Sequence, residues 1–169
     1  MTPKQIERIQ FKIAKIRKEL AADKKRWGGY YDDSRGLRYL PPELYLRIQD
    51  YSGALRYFNW FSKNFPDDSG YPVFLFEWAV TLFKKDRIKE AKAKIIQTDL
   101  VNTWIVPAFL EAENSRPPTK VFSNWQMPDV AEDMGYSKHD AELADFAEWL
   151  SDFVSSGEAS EGNTGNIGV

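Results

Sequence analysis

Apolar residues return every third or fourth position along most of the chain, dividing it into helices joined by short turns. Ile6, Ile9, Ile13, Ile16 and Leu20 make a narrow stripe, more like a coiled-coil seam than a broad core face. A helix over residues 1–27 therefore needs a partner helix. Thr2-Pro3 suits its start, with a hydroxyl that caps and a proline in the first turn, where the missing N–H does no harm. Gly28-Gly29 ends it near Trp27, and Tyr30 to Ser34 reads as a connection.

From Arg35 to about Glu113 the pattern predicts short helices in pairs, and no window alternates as a half-buried strand would. The first pair is a helix through Tyr45-Leu46-Arg47-Ile48, a turn at Gln49-Asp50-Tyr51, and a helix with Ala54, Leu55, Phe58, Phe61 and Phe65 inward, ended by Pro66-Asp67-Asp68. In the second, the apolar stretch Val73–Phe83 turns at Lys84 to Arg87 into a helix bearing Ile88, Ala91, Ile95 and Ile96. A further helix from about Asn102 carries Trp104, Ile105, Phe109 and Leu110, with Pro107 kinking it or delaying its start.

Residues 114–136, with Pro117, Pro118 and Pro128, read as an irregular segment with one short helix at Asp129–Met134. Ser137 and Asp140 stand at capping-box spacing and open a helix over 137–155 that turns Leu143, Phe146, Ala147, Leu150 and Val154 inward and an acidic face outward. Residues 156–169 are rich in Gly, Ser and Asn and read as a flexible tail. The class is all-α, one domain of 169 residues in which the first and last helices cap a short array of hairpins.

Composition narrows the chemistry. Aromatics make up 15% of the chain, so most of them must be packed. The absence of cysteine removes disulfides, thiol nucleophiles and thiolate metal sites, and His139 is the sole imidazole. No stretch has the apolar length of a secretory signal or a membrane span, so a cytoplasmic protein with no membrane partner is expected. Charge is uneven: residues 1–30 hold nine Lys/Arg against three Asp/Glu, and residues 120–169 hold two Lys against ten Asp/Glu. Such ends suit contact with each other, within one chain or head to tail between copies.

The order Asp50-Tyr51-x-x-Ala54-Leu55-x-x-Phe58-x-x-Phe61-x-x-x-x-Pro66-x-Asp68 resembles the second helix and closing turn of a tetratricopeptide repeat. A weaker copy lies 37 residues on, with Leu82, Ile88, Ala91 and Ile95 beneath Tyr45, Tyr51, Ala54 and Phe58, but with no closing proline and with Thr98 in place of Phe61. Pro41-Pro42 stands where the family's Leu-Gly would be. The resemblance covers about half the chain, roughly residues 35–113, within a region of helical hairpins over 28–113. It implies a protein-binding adaptor whose concave face, lined by the first helix of each pair, holds a peptide or protein segment. On these helices Tyr39, Glu43 and Arg47 recur every fourth residue, and Phe76, Val80, Phe83 and Lys84 would face the same groove. The competing readings are a solvated helix face for the first set and complete burial for the second.

A second binding function, that of an immunity or antitoxin-like neutraliser, would use the acidic face at Glu142, Asp145, Glu148 and Asp152. Lys4, Arg8, Lys12, Lys15 and Lys18 make nucleic acid a weaker alternative, and the Ile6–Leu20 stripe allows a homo-oligomer. Nothing points to a cofactor or a metal. No Walker loop, GxGxxG, GxSxG, HExxH or EF-hand loop occurs, and the carboxylate pairs Asp32-Asp33, Asp67-Asp68 and Glu132-Asp133 fall in turns or at helix starts. An enzyme would need carboxylates assembled by the fold.

Overall fold

The computed structural model describes residues 1–29, 36–113 and 125–164. Regular structure among these residues is helical throughout, with no strand, so the chain is all-α. It divides into two compact units, residues 1–68 and 69–169. The boundary falls in Pro66-Asp67-Asp68-Ser69-Gly70, where a proline and a left-handed glycine (Gly70, φ +86°) leave little capacity for helix.

In the first unit, α1 spans Pro3–Arg26 and opens with a complete capping box. The Gln5 N–H donates to Thr2 Oγ1 (3.2 Å) and the Thr2 N–H donates back to Gln5 Oε1 (2.8 Å). Ile13, Ile16 and Leu20 are buried where α1 packs on α2 (Pro41–Arg47), while Ile6 and Ile9 are only half-buried. The stripe thus finds its partner helix within the unit. A 3-10 turn, Leu37–Tyr39, precedes α2, and α3 spans Tyr51–Asn64. Asp50 caps α3 by accepting the Gly53 N–H (2.8 Å). Ala54, Phe58 and Phe61 are buried as the spacing requires, but Leu55 is only half-buried. Tyr57 takes its inward place because its hydroxyl finds the Arg38 carbonyl, which removes the penalty of burying a phenol. Each such buried aromatic stabilises the fold by roughly 1.5–3 kcal/mol.

The second unit is built round α4 (Pro72–Lys84), whose apolar residues are buried on nearly every side. It pairs with α5 (Ile88–Val101) across a turn that places Asp86 at φ +59°, and Ala91 and Ile95 close the interface. Pro107 lies in the first turn of α6 (Ile105–Leu110), so it delays that helix and does not kink it. Asn102, fully buried, bridges the connection: its amide donates to the carbonyls of Trp125 (2.6 Å) and Met127 (2.8 Å), and its Oδ1 accepts the Trp104 N–H (2.8 Å).

Four expectations are corrected in this unit. The short helix at Asp129–Met134 is a 3-10 segment, Pro128–Asp133. The helix expected from Ser137 starts later, as a 3-10 turn Ala141–Leu143 followed by α7 (Ala144–Ser155). Asp140 does reach back to the Ser137 N–H (2.8 Å), but Ser137 Oγ accepts from the His139 N–H, two residues on, which closes a local turn instead of a helix. Inside α7 it is Phe153, not Val154, that is buried with Phe146 and Leu150. Lastly, the expected tail contains α8 (Glu158–Thr164), packed on α5 and α7. Gly157 (φ +81°) makes the corner, Ala159 is buried and Glu158 pairs with Lys92 at 2.8 Å. The connection Tyr30–Ser34, the prolines 117 and 118 and the last five residues lie outside the described residues.

Candidate functional site

The stripe Tyr39, Glu43, Arg47 is not assembled. Pro41 and Pro42 start α2 afresh, so Tyr39 belongs to the preceding 3-10 turn and points elsewhere. Its hydroxyl donates to Asp68 Oδ2 (2.6 Å) and its ring lies 6.2 Å from that of Phe61. Asp68 is also 3.3 Å from Arg38 Nε, and the Arg38 guanidinium stands over the Phe65 ring at 4.5 Å. Tyr39 therefore closes the end of its unit. Glu43 and Arg47 share a helix face and pair with each other at 2.9 Å.

The second predicted set is occupied by the chain itself. Phe76 is fully buried and meets Phe109 (5.1 Å between ring centres), Phe146 (5.6 Å) and Tyr136, which stacks on it nearly parallel (6.3 Å). Val80 is buried and Phe83 packs on Phe146 and Trp149. Burial is therefore the outcome for Phe76 and Val80, while Phe83 is half-buried, as expected of a helix that is apolar on nearly all sides. Lys84, at the end of this helix, donates to the Glu142 carbonyl and to Asp145 Oδ1. Burial pushes the Asp145 carboxyl up, but the Lys84 ammonium and the Phe146 N–H outweigh it and hold the group below its usual range. The acidic face is thus partly consumed internally. Glu148 and Asp152 stay exposed and form no ion pair among the described residues.

A cleft that the sequence did not reveal lies in the first unit, between α1 and α3. It has a volume of about 280 Å³ and is lined by Arg17, Leu20, Ala21, Lys24, Trp60 and Asn64. Helical spacing explains the α1 side: residues 17, 20, 21 and 24 are separated by three, one and three, so they share one face. Trp60 and Asn64, four apart on α3, complete it. Trp60 is held by Tyr57 (5.3 Å) and by Phe65, edge-on at 5.8 Å. The Asn64 amide donates to the Trp60 carbonyl (2.8 Å), leaving Oδ1 to accept from Lys24 Nζ (3.1 Å). Arg17 Nη1 stands 3.5 Å from the Tyr45 hydroxyl. The lining holds two cations, an indole, an amide and two aliphatic side chains, with no carboxylate, hydroxyl or imidazole. Such a set has the chemistry to hold an anion carried on an apolar stem.

Elsewhere the titratable groups are shifted for structural reasons. Burial, and a hydrogen bond to Asp133, push the Tyr71 phenol well up. Burial lowers the Lys94 ammonium, which lies 3.7 Å over the Trp78 ring. His139, in a surface turn, meets Glu111 at 2.8 Å, and this contact holds the Glu111 carboxyl below its usual range. The buried Glu77 accepts from the Tyr136 hydroxyl (3.3 Å). Among the described residues no three His, Asp or Glu side chains converge as metal ligands would.

Compared with protein-family models, with curated proteins and with solved structures, the chain matches none of them.

Proposed function

We propose that the protein is a non-catalytic helical adaptor, tetratricopeptide-like in its pairing of helices, that holds an acidic segment of a partner protein in the cleft between α1 and α3. The observation that carries this reading is Trp60, which lines the cleft together with Arg17 and Lys24. An indole supplies apolar area at low entropic cost, and two flanking cations select a carboxylate beside it; Trp and Arg are the residue types that dominate binding energy at protein interfaces. Ala54 and Ala91, both fully buried within paired helices, are what supports the tetratricopeptide-like element. No described helix is long and apolar enough to cross a membrane, and with the cysteine-free composition this fits a cytoplasmic role.

The test is an affinity pull-down from the native host with the wild-type chain, Trp60→Ala and the pair Arg17→Glu, Lys24→Glu. A partner retained by the wild type and lost, by about tenfold or more, from both variants supports the cleft. The neutraliser reading makes the opposite demand: Glu148→Lys with Asp152→Lys would release the partner and the cleft variants would keep it.

A further inference from the structure

α1 carries a second surface, on the side away from its packing. Ile13, Ile16 and Leu20 define the buried side; Phe11 lies opposite and is 73% exposed. At 100° per residue its neighbours on that crest are Lys4, Arg8, Lys15 and Lys18, at seven and three positions before it and four and seven after. All four are exposed, and Glu7 is the one acidic residue among them. The crest runs about 21 Å along the helix. It is distinct from the cleft, whose residues lie on another side of α1.

A large exposed aromatic ring at the centre of a basic ridge calls for a counter-surface that is both anionic and able to bury the ring. We infer that this ridge docks on the anionic headgroups of a lipid bilayer, with α1 lying in the interface and Phe11 inserted below the headgroups. Charge complementarity supplies the attraction: each cation held near an anionic leaflet strengthens the binding, and lysine, the commoner of the cations here, acts as a point charge with no demand for planar geometry. Shape favours the same occupant. A single helix crest is convex and offers no concavity to a folded partner, whereas a bilayer deforms round a ridge and takes up a Phe ring completely. A nucleic-acid duplex would satisfy the cations but leave the ring against base edges, where only the thymine methyl is apolar, and a single strand, whose bases could stack on the ring, is an outcome that the test below distinguishes. The absence of a described spanning helix limits the association to the surface.

The test is flotation of the full chain with phosphatidylcholine vesicles containing about one third phosphatidylserine, and with phosphatidylcholine alone, at low and high salt. The anionic vesicles are expected to carry the protein, less so at high salt, and the neutral vesicles are not. Phe11→Ala should weaken partitioning by about tenfold or more, with Phe11→Leu restoring most of it, as loss of a buried ring requires. Lys15→Glu with Lys18→Glu should abolish it. Because Phe11 and these lysines are exposed, the variants are expected to fold, which circular dichroism checks. Failure to float, indifference to Phe11→Ala, or tighter binding to a single-stranded oligonucleotide that itself depends on Phe11 would each overturn the inference. None of these outcomes bears on the cleft, whose variants are read by partner capture.

Discussion

Lys84 Nζ lies 2.6 Å from Asp145 Oδ1, joining the last turn of α4 to the first turn of α7 across 61 positions of sequence. The ammonium side is largely buried and the carboxylate side mostly open, with side-chain exposures of 14% and 59%. Solvent therefore screens the pair from one side only, and the Glu142 carbonyl gives Lys84 a second acceptor.

Replacing Asp145 by Asn should destabilise the second unit by about 1 kcal/mol, the range for a half-exposed pair with good geometry. Replacing Lys84 by Met should disturb it less than replacement by Ala, since the stem is buried along apolar surface. The acid limb of the stability curve gives a sharper check. Asp145 in the folded chain titrates below the usual aspartate range, so its contribution is complete above that range and is lost as pH falls through the folded pKa. Urea midpoints measured between neutral and acid pH should fall less steeply for Asp145→Asn than for the wild type. Parallel curves would mean that the pair contributes nothing.

Asn102 should be among the least replaceable polar residues of the chain. Its side chain is fully buried and makes three hydrogen bonds to backbone groups, two of which hold residues 125 and 127 against the start of α6. Asn102→Ala leaves two carbonyls and an N–H without that partner, at about 1 kcal/mol or more each, so a loss of roughly 2–4 kcal/mol is expected. Asn102→Asp retains the acceptor but sets a carboxylate oxygen against both carbonyls, and should be no better. Thermal denaturation of the two variants decides it.

Local signals were sufficient for most of the helices and insufficient for α8 and the cleft. The Ile13–Leu20 stripe, the buried Ala54 and Ala91, and the Thr2 cap each express a rule that acts within four residues, and each stands where the spacing puts it. Tyr39 was misplaced because counting in fours ignores the restart that two prolines impose. The start of α7 slipped because a serine can satisfy the N–H two residues on as readily as the one three residues on. The cleft has no such signature: Lys24 meets Asn64 across 40 positions, and only the packing of α1 beside α3 makes neighbours of Arg17 and Trp60. The seven-residue spacing of Arg17 and Lys24 about Leu20 and Ala21 was the one available hint.

Gly53 lies where α3 passes close against Tyr45 of α2. A Cβ placed there would stand 2.7 Å from Tyr45 Cε1 and would also press on the carboxylate of Asp50, which caps the helix. The Tyr45 ring is buried and cannot swing away freely. Gly53→Ala, which on helix propensity alone would stabilise by up to about 1 kcal/mol, should instead destabilise by about 1–3 kcal/mol through overpacking. A gain in denaturation midpoint for this variant would show that the ring yields.

The last helix offers a test of a different kind, because composition and packing disagree about it. Gly, Ser and Asn dominate residues 156–169, and an isolated helix of the length of α8 is not stable in water. What holds Glu158–Thr164 is tertiary: the buried Ala159, the Lys92–Glu158 pair and the corner at Gly157, where Ser156 Oγ accepts the Glu158 N–H. Ending the chain after Ser156 should therefore lower stability by about 1–2 kcal/mol, the sum of a small apolar burial and a surface pair. Backbone amides in the facing stretch of α5, near Lys92 and Ile96, should exchange faster with solvent in the shortened chain while those of α1 are unchanged. Equal stability and equal exchange in the two chains would return residues 156–164 to the polar tail that their composition suggests.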